Sequence, residues 1–288
     1  MPTHAQSYLL AIMRYILIDN TQNSNTLTNY QIPVNLDTAS LISAGKMRSD
    51  CGDIRFYDSD GATPLNYWIE GQCNSSSTLI WVKVPSIPAS SKKTIYLYYG
   101  NPSYTSLSNF ANTMITLSST PKFGVTGDYY ATSNNTQSNP QYTLVPDGQY
   151  GYLSTYDVWS AHDEGAYWVF DFGSVASRAY RIKWYMSATA VSNYCVNFST
   201  SFSLSTDGAN YTQLYSNTLT ATGSTSVTIT EIKGSARFLM ISQYSNASCM
   251  VANGYTYVDA VYARAYSSPE PSILILPESY AKKLPDSM

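Results

Sequence analysis

The residues able to do chemistry are few and scattered. The chain has two histidines. His4 lies in a polar N-terminal arm and His162 in the run His162-Asp163-Glu164. Acid–base work needs a side chain within hydrogen-bond reach of a reacting proton, and three neighbours in one loop read as solvated polar groups. Glycoside cleavage needs two carboxylates flanking the sugar bond. Glu70, Glu164 and Glu231 are available, but no spacing places any two together. No serine occupies a G-x-S-x-G elbow. The four cysteines, Cys51, Cys73, Cys195 and Cys249, lack CxxC spacing and have no histidine cluster beside them, which disfavours zinc. Four cysteines allow three connectivities. The simplest pairs Cys51 with Cys73 and Cys195 with Cys249, and four buried free thiols are the alternative. The expectation is a non-enzymatic protein.

The elements that carry these residues read as strands. Charged residues make up 12% of the 288-residue chain, about half the usual share, and tyrosine (27 copies), Ser, Thr and Asn take their place. Tyr and Thr favour strands, while Ser, Asn and Gly favour turns. A net charge of −3 without a basic face argues against nucleic acid as a partner. The stretch 47–73 reads as a clamped hairpin: strand Ile54 to Tyr57, turn Asp58-Ser59-Asp60-Gly61, return strand Leu65 to Glu70. Cys51 and Cys73 flank the two strands, where an antiparallel pair brings them close enough to bond. The Asp58/Asp60 turn lacks the further ligands of a calcium loop. Strands are also expected at Met13 to Asp19, Tyr30 to Asn35, Thr78 to Val84 and Thr94 to Tyr99, with a short helix within Thr38 to Lys46. Tyr8 to Ile18 is apolar but interrupted by Arg14. It lacks the flanks of a secretion signal and is too short to span a bilayer.

With YILIDNT, DTASLISAGKMRSDCGDIRF, YWIE, IWVKVPSIPA and IYLYYGNP in order, residues 13–102 resemble the domain of unknown function 2341 of archaeal and bacterial surface proteins. The resemblance implies a β-sandwich module of large extracellular proteins and transfers no activity. Residues 125–266 carry a second set: Asp147-Gly148, Trp159, YWVFDFG, FSLSTDGANYTQLY and ARFLMI. These resemble a discoidin or coagulation-factor C-type domain, a galactose-binding-like jelly roll, without the terminal cysteine pair of animal members. The fold class expected is therefore all-β, two β-sandwich (jelly-roll-like) domains in tandem with strand-like terminal extensions. The divisions are an arm 1–12, a sandwich 13–102, a linker 103–124, a jelly roll 125–266 and a C-terminal extension 267–288.

The second resemblance implies sugar binding by loop aromatics, for which Tyr129, Tyr130, Tyr150, Tyr152 and Trp159 are the candidates, and a structural calcium near the Asp147 turn. A plain Asp-Gly turn is the alternative at Asp147. Sequons at Asn74, Asn134, Asn197, Asn210 and Asn246 fit a surface address. Ser272-Ile273-Leu274-Ile275-Leu276 is a strand-length apolar segment between Pro271 and Pro277, outside both resemblances. A strand without a partner at home can join a neighbour's sheet, and head-to-tail repetition of such a contact builds a filament. The leading expectation is thus an extracellular structural or adhesive subunit, on a cell or virion surface, that polymerises with copies of itself and has no membrane span. The alternative is a soluble carbohydrate-binding protein of a glycan-degrading system, with glycans as partners.

Overall fold

A computed structural model describes residues 11–117, 119–126, 136–155, 164–190, 196–245 and 251–281. The chain is all-β. It opens with β1 (Ala11–Asp19), β2 (Leu27–Leu36), a helical turn α1 (Thr38–Ser43), β3 (Arg55–Tyr57), β4 (Tyr67–Glu70), β5 (Thr78–Ile87) and β6 (Lys92–Tyr99). A single turn α2 (Phe110–Thr113) precedes β7 (Lys122–Thr126), β8 (Thr136–Ser138), β9 (Gly151–Thr155) and the long β10 (Glu164–Ala190). Then come β11 (Phe198–Ser205), β12 (Thr212–Leu219), β13 (Gly223–Ser224), β14 (Thr228–Ser245), β15 (Val251–Ala265) and β16 (Ser272–Ala281). Two compact units result. Unit 1 takes the described residues up to Met114 together with those from Ser267 onward, and unit 2 is Ile115–Tyr266. Unit 2 is therefore an insertion between two parts of unit 1, where a tandem order was expected.

Unit 1 has a four-stranded sheet, β16-β1-β6-β3, and a three-stranded sheet, β2-β5-β4. Period-two alternation sends Ile16 and Ile18 of β1, Ile95 and Leu97 of β6, Ile32 and Val34 of β2, and Ile80, Val82 and Val84 of β5 into full burial. The expected hairpin pair forms only next to its turn and does not continue as a ladder. β3 pairs with β6 in one sheet and β4 with β5 in the other. Between them the Asp58 turn closes through Gly61 N to Asp58 O (2.9 Å), and pairing stops at a single Tyr57–Pro64 bridge. The bridge is flanked by Asp58 N to Thr63 O and Leu65 N to Phe56 O, both 2.8 Å, and beyond Leu65 the chain crosses to pair with β5 in the other layer. The Cys51–Cys73 disulfide nevertheless forms, with its Cα atoms 5.9 Å apart, and ties the approach to β3 to the exit from β4. Residues 103–114, read as linker, belong to unit 1. Asn109 N donates to Tyr67 O at 2.8 Å, and Phe110 meets Trp68 edge-on at 5.0 Å.

The segment Ser272–Leu276 is also corrected. It pairs at home, antiparallel to β1, from Asp19↔Ser272 to Ala11↔Ala281. Pro277 does not end the strand. The register shifts between Arg14 and Ile16, and this bulge admits a residue that cannot donate. Beyond it Glu278 accepts from Arg14 Nη2 (3.2 Å), Tyr99 Oη (2.9 Å) and Lys46 Nζ, which pins the strand to its sheet.

Unit 2 is a sandwich built largely from one bent sheet, β12-β11-β14-β10-β15-β9-β8, with β7 and β13 also on β10. β10 pairs with β14 along most of its 27 residues. Its first half also pairs with β7 and its second half with β15. The register shift between Asp171 and Ala176, with Gly173 at φ 82°, marks the bend. Trp168 and Phe170 before the bend share one core cluster with Tyr180, Ile182, Trp184 and Met186 after it, joined by Phe198, Phe202, Leu239, Ile241 and Val258. The indole N–H groups are satisfied: Trp184 donates to Thr230 Oγ1 at 2.9 Å and Trp168 to Gln137 Oε1.

Candidate functional site

The same alternation that fills the core of unit 2 lays tyrosines on the opposite face. Trp184 and Met186 are fully buried, so Tyr185 between them points away; Thr256 and Val258 flank Tyr257 in the same way, and Leu153 follows Tyr152. Register then aligns them. Tyr185 lies opposite Tyr257, and Tyr257 opposite Tyr152, across β10, β15 and β9. Three tyrosines thus form a row across three adjacent strands, spanning about 10 Å at the usual strand spacing. The Tyr185 and Tyr257 rings stack with centroids 4.5 Å apart and planes within 8°. Tyr152 leans on Tyr257 at 5.5 Å, Tyr255 packs beside both, and Tyr150 meets Tyr185 edge-on at 5.2 Å. All five are half-buried, so ring surface remains for a ligand.

Polar groups surround the row. Lys183, two residues before Tyr185, pairs at 2.5 Å with Asp259, whose other oxygen accepts from Gly148 N at 3.0 Å. Thr136 and Ser154 share a hydroxyl hydrogen bond of 2.6 Å, Ser224 donates to Ser187 at 2.8 Å, and Tyr255 Oη donates to Asn253 Oδ1 at 3.3 Å. Burial raises the phenol pKa of Tyr185. It does so at Tyr150 and Tyr257 too, helped by Asp259 and by Tyr185 respectively. Those three phenols therefore stay neutral throughout the physiological range. Such an arrangement can offer a ligand apolar ring surface and hydrogen-bonding hydroxyls.

Of the sugar-binding candidates, Tyr150 and Tyr152 join this cluster. Tyr129, Tyr130 and Trp159 lie outside the described residues, as do His4, His162, Cys195, Cys249, Asn134 and Asn246. Tyr185, Tyr255 and Tyr257 were missed. The signal was present as Tyr-Thr-Tyr at 255–257 and as Tyr185 alternating within a strand, but tyrosine abundance hid it. Asp147 caps its own turn, accepting from Gln149 N at 2.9 Å and Gln149 Nε2 at 3.3 Å. Among the described residues no three His, Cys, Asp or Glu side chains group as metal ligands. Glu70, in unit 1, accepts from Trp81 Nε1 at 2.6 Å, and Glu231, in unit 2, is held by Arg181 and Arg264. Asn74 and Asn210 are exposed and Asn197 half-buried. Among the described residues no helix is long and apolar enough to cross a membrane.

The family model described as domain of unknown function (DUF2341) matches residues 50–139, overlapping the second half of the region that resembles it in sequence. No curated protein matches the chain. Among solved structures, the chain is similar to TmCBM61 in complex with beta-1,4-galactotriose, at 15% identity over 50% of this chain and 88% of that one, with a TM-score of 0.29. It is similar to CBM32 of AlyQ in complex with 4,5-unsaturated mannuronic acid, at 23% identity over 49% and 92%, with a TM-score of 0.22. It is also similar to the enzymatically active domain of bacteriophage CBA120 tailspike protein 4, at 11% identity and a TM-score of 0.32. That match covers 51% of this chain but a fifth (20%) of the other. Scores of this size leave ligand and chemistry to be argued from this chain's own residues.

Proposed function

We propose that the chain is a non-catalytic, extracellular glycan-binding protein, and that the tyrosine row of unit 2 is its binding face. The observation that carries this is the Tyr185–Tyr257–Tyr152 ladder. A pyranose has an apolar C–H face and a hydroxyl edge. Because Tyr185 and Tyr257 cover each other's inner faces, an extended sugar chain would lie across the exposed ring edges and phenol hydroxyls, with Lys183 and the surrounding hydroxyls meeting its own hydroxyls. The Cys51–Cys73 disulfide supports an oxidising compartment. The test is affinity electrophoresis of the full chain in gels containing β-1,4-galactan, xylan or alginate, with Tyr185→Ala and Tyr257→Ala as variants. At least one polysaccharide should retard the wild type, and each variant should bind about tenfold more weakly, roughly 1.4 kcal/mol. Cross-strand aromatic pairs contribute about 0.2–1 kcal/mol to stability, so both variants should stay folded. Retardation that is unchanged in both variants removes the ladder from the function.

A second reading, a self-assembling surface subunit, keeps one observation. β16 is the edge of its sheet, and Leu274 and Tyr280 on it are 55% and 64% exposed. Sedimentation of the purified chain decides it: long polymers favour this reading, and a monomer that binds polysaccharide favours the first.

A further inference from the structure

We propose that unit 2 holds a second, separate ligand site, a pocket for one neutral hexose, between the first half of β10, β14 and the turn joining β11 to β12. A cavity of about 620 Å³ lies there, within the size range of small-molecule sites. It shares no residue with the tyrosine ladder. Its floor is set by register: Val169 lies opposite Met240 and Asp171 opposite Phe238, all facing away from the buried Trp168, Phe170, Leu239 and Ile241. Tyr167 and Tyr211 complete the apolar lining, and Lys122 stands at the rim.

Two glycines keep the cavity open. Gly124 on β7 lies opposite Tyr167, and a Cβ there would collide with the phenol ring. Gly208, at φ +78°, sits over the ring of Phe238, where a Cβ would come within 3.1 Å. The turn that carries Gly208 is fixed from within. Asp207 accepts from Ala209 N (2.9 Å), Asn210 N (2.9 Å), Asn210 Nδ2 (2.8 Å) and Ser205 Oγ (2.8 Å).

The polar inventory selects the ligand. Asp171 is held by two bonds from Arg237, at 2.8 and 2.7 Å, and the oxygens of Asp207 are filled by its turn. Lys122 and Arg237 balance these two carboxylates, so the site carries no net charge to favour an ion. What remains is the Tyr211 hydroxyl, buried without a hydrogen-bond partner among the described residues. A buried hydroxyl left unmet is costly, and a small turn of the Tyr211 ring toward the cavity would bring it to a ligand hydroxyl. Aromatic walls, one unsatisfied phenol and a rim ammonium match a pyranose with an apolar face and a hydroxyl edge.

The test is amide-resolved NMR titration of the full chain with D-glucose, D-galactose, D-mannose and L-fucose, each to about 100 mM, since a single sugar in such a pocket is expected to bind in the millimolar range. At least one should shift the amides of 207–211 and 238–240 in a saturable way. Ala209→Trp, which fills the mouth from an exposed position, should abolish the shifts. Tyr211→Phe should weaken binding about fivefold, the effect of one hydrogen bond. Absence of saturable shifts with all four sugars, or shifts that persist in both Ala209→Trp and Tyr211→Phe, overturns the proposal. Failure of the ladder does not, because its variants and its polymeric probes are different.

Discussion

Glu231 shows how a carboxylate that looks available for chemistry is spent on structure. It lies opposite Arg181 across the β10–β14 ladder and is bound by Arg181 Nη1 and Arg264 Nη2, both at 2.9 Å. Burial alone would raise its pKa, but the hydrogen bonds and charge of Arg264 and Arg181 outweigh this and hold it below its usual 4.5. The stability it contributes is therefore complete above about pH 4.5 and is lost as the pH falls through the lower folded value. Breaking a buried ion pair costs about 3–5 kcal/mol. Because the Glu231 side chain is 21% exposed, we expect Glu231→Gln to lose a smaller amount, about 2–3 kcal/mol, at neutral pH. Its urea unfolding curve should converge with that of the wild type in acid. Trp168, fully buried, should cost about 3–5 kcal/mol when replaced by Ala, read as a shift in the same curve. The two residues were not equally legible in sequence. Period two within YWVFDFG is enough to put Trp168 and Phe170 on one face and Asp171 on the other, because that rule is local. The partners of Glu231 stand 50 and 33 residues away on other strands, where only register reveals them.

At the scale of elements, the apolarity and length of residues 272–276 were readable, but their partner was not, since β1 lies more than 250 residues earlier. Pro277 looked like a stop because a proline cannot donate; an edge strand with a bulge tolerates it. The disulfide follows in sequence from a full hairpin pairing, whereas the pairing here stops after one bridge and the flanking positions come together because the turn joins two layers. Cutting the chain after Pro271 should strip β16 from unit 1. The expected outcome is rapid proteolysis of unit 1 while unit 2 keeps its near-ultraviolet dichroism; an intact, protease-resistant unit 1 would show that β16 adds nothing to its sheet. Replacing Cys51 and Cys73 by Ser opens a loop of 22 residues and should cost about 3 kcal/mol by chain entropy, read from the denaturation midpoint of unit 1.

For the whole molecule, the all-β class and both sandwiches were legible from composition and motif order, whereas the nesting of one unit inside the other was not, because composition carries no record of which strands are neighbours. Unit 2 is contiguous and owns its core cluster. A fragment 115–266 should therefore fold alone and retain whatever polysaccharide retardation the full chain shows, at the same strength from about pH 5 to about pH 9, because phenols titrate near pH 10 or above. Unit 1 has no such independence, and the difference becomes one of time. A ribosome that has finished β6 at Tyr99 must still add 182 residues before Ala281 completes β16. At about 5–20 residues per second this takes on the order of 10–40 s. Throughout that interval the β16-facing edge of β1 stays unpaired, available to any neighbouring nascent chain, while the inserted unit has time to fold. Translation speed across the insertion thus sets how long this protein is exposed to misassembly.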